Sequence, residues 1–170
     1  MKKSVKLLAS AITAAAFALI VVFAVTVCVV FPNKYVDKLC AAADEFGLSR
    51  SLVKSVVWAE SRFDEKATSR KGAKGLMQLM PDTFDYCATA IGLPKNADAF
   101  DAQNSLRCGC YYLSLLIDKF DGNVTAALMA YNAGEANAHR FLAGEPIFPE
   151  TKKYLASISK ARKVYGLFGG

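Results

Sequence analysis

Hydrophobic residues divide the chain into one uninterrupted apolar run and a longer region in which apolar and polar positions alternate. The run from Leu7 to Phe31 contains no charged residue. As a helix it would be about 37 Å long, which is enough to cross a lipid bilayer. Pro32 ends the run, so the pattern predicts one N-terminal transmembrane helix, with residues 1–32 forming a membrane anchor.

Three lysines, Lys2, Lys3 and Lys6, precede this run. By the positive-inside rule, such a lysine-rich segment stays in the cytoplasm. We therefore predict a single-pass protein whose remaining chain lies on the extracytoplasmic side of the membrane. A secretory signal has a shorter apolar core and a small-x-small cleavage site, and neither is evident here. We therefore favour an uncleaved signal anchor, with a cleaved signal as the alternative.

From residue 33 onward, apolar residues recur at helical spacing in segments separated by Gly, Pro and Asn. Helices are predicted after an Asn33 cap, after a Ser49 cap, from Pro81, after an Asp101 cap, over residues 124–131 and over about residues 151–165. Between Thr68 and Met80 the helical spacing is lost, and Gly72 and Gly75 favour a turn. The pattern predicts a mainly α domain over residues 33–170 with a small Gly-rich loop or hairpin.

The composition is hydrophobic and weakly basic. Hydrophobic residues make up 54% of the 170, and the mean hydropathy of +0.24 reflects the apolar run. Lys and Arg outnumber Asp and Glu by 21 to 15, and three of the lysines precede the run. A weakly basic remainder is compatible with an anionic cell wall and equally with an ordinary surface. No basic cluster with interleaved aromatic residues indicates a nucleic-acid partner.

Cysteine and histidine positions argue against a metal centre. Cys28 lies in the apolar run, and the other four cysteines lie in the domain. We expect one disulfide or none, because Cys108 and Cys110 point to different faces of one helix. The spacing Cys108-x-Cys110 is not typical of metal ligands, and His139 is the single histidine, so neither a metal nor a cofactor is expected.

A glutamate, Glu60, occupies an apolar stripe of the second predicted helix. Val53, Val56 and Val57 precede it by seven, four and three residues and share its helical face. Burial there and the negative end of the helix dipole both raise a carboxyl pKa, which favours a general acid near neutral pH. From these residues alone, the favoured interpretation is a glutamate that reaches out to water from the edge of the stripe, and the general acid is the alternative.

The sequence shows no second carboxylate in a similarly apolar position. Ordinary glycosidases use two carboxyl groups, one as acid and one as base or nucleophile. The neighbours Asp64, Glu65, Asp82 and Asp85 all look like solvated or helix-start charges. One persuasive carboxyl group fits glycoside cleavage in which the substrate supplies its own nucleophile.

Several blocks of the sequence resemble the lytic transglycosylases of the soluble-lytic type, the SLT domain of the goose-type lysozyme-like superfamily. The blocks are WAESRF at residues 58–63, GAKGLMQLMPDT at 72–83, AYNAG at 130–134 and the pattern Pro149-Glu150-Thr151-x-x-Tyr154. They come in the family's order with family-like spacing, and the resemblance covers about residues 35–166. It implies a lysozyme-like, mostly helical fold.

The resemblance also implies an activity and a partner. Members of this family cleave the β-1,4 bond between N-acetylmuramic acid and N-acetylglucosamine in peptidoglycan glycan strands. They leave a 1,6-anhydromuramyl end, because the C6 hydroxyl of the muramic acid attacks C1 and no water is consumed. One glutamate acts first as acid and then as base, and by resemblance this residue is Glu60. The catalytic domain is then expected on the cell-wall side of the membrane.

Further site residues follow from the resemblance alone. The family's substrate-binding positions correspond to Ser69, Gln78, Met80, Tyr131 and Glu150. Each also has a structural interpretation, such as a loop hydrogen bond for Ser69 or a core position for Tyr131. After AYNAG the usual Pro-Gly is absent, which leaves the sugar subsites open. A lysozyme-type hydrolase and an inactive peptidoglycan-binding scaffold remain the alternative functions.

Overall fold

The computed structural model describes residues 2–167, which form two compact units. One unit ends at Asn33 and contains the helix α1 (Lys2–Val30); the other begins at Lys34. Among residues 2–167, no helix combines the length and the apolar character that a membrane crossing requires. The transmembrane helix predicted for residues 1–32 is therefore not supported, although the segment is helical.

The second unit is mainly α-helical, as predicted. Its helices are α2 (Val36–Glu45), α3 (Arg50–Ser61), α4 (Pro81–Ala90), α5 (Ala102–Lys119), α6 (Val124–Ala133), α7 (Glu135–Leu142) and α8 (Pro149–Leu167). Helix α3 packs chiefly against α8, and α6 packs against α5, α7 and α8. Helix α8 therefore contacts both α3 and α6.

Side-chain caps begin two of these helices where the sequence predicts them. The Ser49 hydroxyl accepts a hydrogen bond from the Leu52 N–H at the start of α3, and Asp101 accepts one from the Asn104 N–H at the start of α5. The predicted Asn33 cap is wrong. Tyr35 takes a left-handed conformation (φ 55°) and stands immediately before α2, so the first turn lies beyond the reach of Asn33.

Helix α7 is the element that the hydrophobic pattern does not predict. Gly134 (φ 87°) ends α6 and immediately begins α7, so one residue separates two helices. Ala138 is the fully buried residue of α7, and Phe141 packs beside it on the core formed by α5 and α6. A helix of eight residues with one buried alanine leaves too weak a periodic signal to detect in the sequence.

The Gly-rich segment between α3 and α4 is the predicted turn region. Isolated antiparallel bridges join Thr68 to Lys74 and Lys74 to Leu79. Gly75 is held at φ 74°, and a Cβ atom there would lie 2.1 Å from the Ala99 carbonyl oxygen. The segment therefore packs its backbone directly against the loop before α5, which only glycine permits.

The cysteines of the second unit are free thiols: Cys40, Cys87, Cys108 and Cys110. Cys87 and Cys108 lie in one buried cluster with Leu79 and Phe84. In the part of the chain that the structure describes, no group of three or more His, Cys, Asp or Glu side chains is placed to hold a metal ion.

Candidate active site

Glu60 lies in the last turn of α3, one residue before the helix ends at Ser61. The valines on its helical face are completely buried, so the apolar stripe read from the sequence is real. The chain then reverses through two successive left-handed residues, Arg62 (φ 54°) and Phe63 (φ 62°). Non-glycine residues rarely adopt this conformation, so the reversal is strained and must be held by its surroundings.

Contacts of two aromatic residues hold this reversal. The Arg62 guanidinium carbon lies 3.3 Å from the centre of the Trp58 ring, a close cation–π contact. Phe63 is 1% exposed, and its ring packs edge-on against Tyr165 of α8 at 6.2 Å. Together these contacts fix where α3 stops, and with it the position of the Glu60 side chain.

The environment of Glu60 favours its protonated form. Burial is the dominant cause and raises the carboxyl pKa from 4.5 to about 7, while the nearby Tyr154 hydroxyl opposes this shift. No Asp or Glu of the described chain contributes to the shift. Near neutral pH the carboxyl group is therefore divided between its acid and carboxylate forms, which suits a group that must first give and then take a proton.

Tyr154 of α8 is the site residue to which the sequence assigns no role. Among the side chains that the structure describes, its hydroxyl oxygen is the one buried oxygen or nitrogen without a hydrogen-bond partner. It lies near enough to Glu60 to lower the pKa of that carboxyl, yet outside hydrogen-bond geometry in the resting structure. Burial raises the pKa of Tyr154 well above its ordinary value, so the hydroxyl keeps its proton and can donate it to a carboxylate.

Tyr131 of α6 approaches the same carboxyl group with the opposite hydrogen-bonding capacity. Its hydroxyl donates to the Met77 carbonyl oxygen at 2.8 Å. Burial, followed by the charge of Glu60, raises the pKa of Tyr131 well above 10, so it stays neutral. With its proton committed to Met77, the Tyr131 oxygen can only accept a further bond, and protonated Glu60 is a donor.

Hydrogen bonds from three elements fix the segment that carries Met77. The Ser61 hydroxyl donates to the Leu76 carbonyl oxygen at 2.8 Å, which ties the segment to α3. The Met77 N–H donates to the Ser105 hydroxyl oxygen at 3.2 Å, which ties it to α5. The Tyr131 bond supplies the link to α6, so the acceptor of the Tyr131 proton is itself held in place.

The remaining predicted site residues lie on or near this segment, with one exception. Ser69 is partly buried, and its hydroxyl oxygen accepts from the Ala73 N–H at 3.0 Å, which leaves its own proton available. The Gln78 Nε2 donates to two carbonyl oxygens of the loop, and Met80 is 44% exposed. Glu150 is exposed in the first turn of α8, and no hydrogen bond or ion pair joins it to Glu60 or Tyr131 in the described chain.

The domain is similar to parts of larger lytic transglycosylases. It is 33% identical over 134 residues to the peptidoglycan transglycosylase gp16 of Escherichia phage T7, matching 79% of this chain and 10% of the phage protein. It is 28% identical over 124 residues to the membrane-bound lytic murein transglycosylase C of Edwardsiella ictaluri, matching 66% of this chain and 34% of that protein. The chain thus spans about a third of the length of one relative and a tenth of the other.

Solved structures give the same likeness. An inactive mutant of the lytic transglycosylase Slt from Pseudomonas aeruginosa superposes with a TM-score of 0.78 and 28% identity, over 83% of this chain and 25% of that one. The 70 kDa soluble lytic transglycosylase of Escherichia coli gives a TM-score of 0.76 and 25% identity, over 82% of this chain and 25% of that one. The predicted lysozyme-like SLT fold is therefore confirmed. Residues 38–152 match the Transglycosylase SLT domain, and the chain belongs to this family.

Proposed function

We propose that the domain beginning at Lys34 is a peptidoglycan lytic transglycosylase. Its reaction cleaves the β-1,4 bond between N-acetylmuramic acid and N-acetylglucosamine and leaves a 1,6-anhydromuramyl end. The observation that carries the proposal is Glu60 itself: a lone carboxyl group with a pKa raised to about 7, with two neutral tyrosines beside it and no carboxylate acting on it. Relatives named lytic murein transglycosylases support the same reaction.

The reaction uses Glu60 twice. In the first step the protonated carboxyl group gives its proton to the glycosidic oxygen as the bond to C1 breaks, and Glu60 becomes a carboxylate. In the second step this carboxylate removes the proton of the muramic acid C6 hydroxyl while that oxygen bonds to C1. The proton taken in the second step replaces the one given in the first, so no water is consumed and no second carboxylate is needed.

The two tyrosines support different forms of Glu60. Tyr131 can only accept, because its proton is bonded to Met77, and it therefore orients the acid form before the bond breaks. Tyr154 holds an uncommitted proton and therefore stabilises the carboxylate that forms afterwards. A carboxylate left without such a donor in a partly buried site would be a poor product of the first step.

The sugar contacts that we propose for the other site residues follow from the side-chain groups that remain accessible on each of them. The uncommitted Ser69 proton and the Gln78 amide oxygen are available to polar sugar substituents, and the exposed Met80 side chain offers an apolar wall. Glu150, exposed at the first turn of α8, would bind a sugar farther from the reacting bond. These assignments rest on the family resemblance and on the access of each group.

We propose further that α1 associates the protein with a membrane, and that the catalytic domain lies on the cell-wall side because its proposed substrate lies there. Large apolar side chains of α1 are exposed, Phe17 at 69% and Ile20 at 64% among them, and several relatives are named membrane-bound. The proposal is limited to association, since no described helix meets the requirements of a crossing. Fractionation of cells tests it: the full chain is expected in the membrane fraction, and a chain beginning at residue 34 in the soluble one.

Product mass tests the proposed reaction. Purified peptidoglycan is digested with the full chain and, in parallel, with the Glu60→Gln variant. Non-reducing anhydromuropeptides, one water lighter than hydrolysis products, are expected from the first and nothing from the second. Reducing-end products would instead identify a hydrolase. Equal behaviour of the two proteins, with strand binding but no product, would identify an inactive scaffold.

A further inference from the structure

A groove with a volume of about 660 Å³ lies between α6 and α8, and we call it the α6–α8 groove. Leu128 of α6 and Ile158 of α8 line it and are almost completely buried. Arg162 and Lys163 of α8 line it as exposed residues, and no acidic residue lines it. The groove therefore has an apolar bottom and a basic edge. None of the proposed catalytic or sugar-binding residues lines it, so it is separate from the candidate active site.

The exposed side of α8 is strongly basic. Its cationic residues are Lys152, Lys153, Lys160, Arg162 and Lys163, and all five are exposed. Glu150, in the first turn, is the one acidic residue of this helix. None of the five cations forms an ion pair with another residue that the structure describes. Because like charges on neighbouring turns of a helix repel one another, this side of α8 attracts anions.

Part of this basic side forms a continuous stripe along α8. Lys152, Ala156, Lys160 and Lys163 follow one another at spacings of four, four and three residues, and all are exposed. Leu167, four residues after Lys163, extends the stripe and is 81% exposed. Lysines that alternate with exposed apolar side chains on one helical face are typical of a contact with an anionic membrane surface.

Two features favour a lipid over a protein as the occupant of the α6–α8 groove. An anionic phospholipid carries a phosphate beside hydrocarbon chains, which matches a basic edge beside an apolar bottom. Residues 31–35 alone join α1 to α2, so a membrane that binds α1 lies within reach of the second unit. The second feature rests on the proposed membrane association of α1, whereas the first does not.

We propose that the α6–α8 groove and the basic stripe of α8 dock on an anionic phospholipid membrane. Headgroup phosphates bind Arg162 and Lys163, and lipid hydrocarbon contacts Leu128 and Leu155, which also lines the groove. This contact adds a second membrane-binding surface to the one proposed for α1. It would fix the orientation of the catalytic domain at the membrane surface, which a flexible connection alone would not do.

Acylation of lysines on vesicles tests this docking residue by residue. The full chain is mixed with vesicles of phosphatidylcholine or of phosphatidylcholine with phosphatidylglycerol, and sedimentation gives the bound fraction. A brief treatment with an amine-acylating reagent follows, and mass spectrometry gives the rate at each lysine. Anionic vesicles are expected to slow acylation of Lys160 and Lys163 about threefold to tenfold relative to neutral vesicles. Lys95, exposed in the loop after α4 and outside the groove, should keep its rate, and high salt should remove the protection.

Two matched pairs of variants test the edge and the groove. Arg162→Gln should lower the protection of Lys160 and Lys163 by up to about fivefold, whereas Arg70→Gln, at an exposed arginine of the Gly-rich segment, should leave it unchanged. Thr125 lines the groove from α6 and is exposed, so Thr125→Glu places a carboxylate opposite the cations. This substitution should abolish the protection, and Thr125→Gln should preserve it.

Each alternative result has a definite meaning. Equal protection of Lys160, Lys163 and Lys95, or equal behaviour of the two variants in either pair, would overturn the docking. The same protection by soluble glycerol phosphate would also overturn it, because it would indicate an anion site that needs no membrane. A chain that sediments with both kinds of vesicle without protection of the two lysines would retain the association of α1 and leave the groove to a protein partner. A chain that sediments only with anionic vesicles, with both lysines protected, would support the groove without α1, and a chain that binds neither would overturn both.

Discussion

Tyr131 donates its hydroxyl proton to the carbonyl oxygen of Met77, 54 residues earlier in the chain, across 2.8 Å. This bond joins α6 to the irregular segment between α3 and α4, and it decides what Tyr131 can do for Glu60. A tyrosine whose proton is committed cannot donate to a carboxylate. The complementary donor is Tyr154, whose hydroxyl is buried and unpartnered. The first two predictions follow from these different hydrogen-bonding roles, with Tyr131 as an acceptor and Tyr154 as a donor.

Replacing Tyr131 by phenylalanine is expected to lower both stability and activity. The Met77 carbonyl loses its partner, which costs about 1–3 kcal/mol of unfolding free energy, and kcat is expected to fall about 10- to 100-fold because the Glu60 acid is no longer oriented. Urea unfolding and product release measure the two effects. Tyr86→Phe on α4, where Tyr86 is 59% exposed, is the control and should change stability by less than about 0.5 kcal/mol. An unchanged kcat in Tyr131→Phe would contradict the orienting role.

Replacing Tyr154 by phenylalanine is expected to separate stability from activity. The substitution removes a buried hydroxyl that has no partner in the resting protein, so stability should stay constant or rise by about 1 kcal/mol. Activity should nevertheless fall about tenfold, because the carboxylate form of Glu60 loses its donor.

The pH profile of Tyr154→Phe identifies the cause of that loss. The Tyr154 hydroxyl lowers the Glu60 pKa, so its removal raises this pKa above about 7. The decline of kcat/KM on the alkaline side, where Glu60 loses the proton that it must give, is expected to move to higher pH. The other titratable groups around the site are Tyr131 on α6 and, behind it, Tyr112 and Cys110 on α5 and Cys87 on α4, all with pKa values above their ordinary range. An unmoved profile with reduced kcat would instead indicate a packing role for Tyr154.

The sequence predicts the position of Glu60 because a carboxyl group on an apolar helical stripe is a local pattern. The pattern needs only the spacing of Val53, Val56 and Val57. Tyr154 could not be assigned in this way, since its meaning depends on the packing of α8 against α3, two elements far apart in the chain. A tyrosine one turn into an amphipathic helix has no local feature that reveals a buried, unpartnered hydroxyl.

Some helix caps could be predicted from the local sequence, whereas one glycine is explained only by packing between distant parts of the chain. Ser49 and Asp101 were predictable as caps because the bond is made to the N–H three residues later. The predicted Asn33 cap is wrong because Tyr35 adopts a left-handed conformation, which the residue types in this segment do not predict. Gly109 lies inside α5, where glycine is unfavourable, and only the approach of Met77 explains it.

Gly109 provides a stability test of that approach. A Cβ atom at position 109 would lie 2.5 Å from the Met77 Cβ and Cγ atoms, a contact that real side chains do not make. Gly109→Ala is therefore expected to lower the unfolding free energy by about 1–3 kcal/mol, despite the higher helix propensity of alanine. Because Met77 also accepts the Tyr131 bond, kcat should fall as well.

Gly166 is the matched control for this substitution. It lies inside the last turn of α8 with nothing within 4 Å of an added Cβ, so Gly166→Ala should be neutral or raise stability by up to about 1 kcal/mol. Denaturant unfolding of both variants gives the comparison. If Gly109→Ala were as stable as Gly166→Ala, the close packing of Met77 on α5 would be wrong.

Glu60 should make the protein less stable as the pH rises towards neutrality. Its pKa is about 7 in the folded protein against an ordinary value of 4.5, so between these values the folded state holds a proton that the unfolded state has released. Stability is therefore unaffected below about pH 4.5, falls between about 4.5 and 7, and stays lower above 7, by up to about 3 kcal/mol. Glu60→Gln cannot ionise, so it is expected to match the native protein at pH 4 and to exceed it in Tm at pH 8. Thermal unfolding at both pH values measures the difference. If the Tm of Glu60→Gln differed from that of the native protein by the same amount at pH 4 and pH 8, the substitution would act through packing rather than through the proton. Glu60 would then lack the raised pKa on which its role as an acid depends.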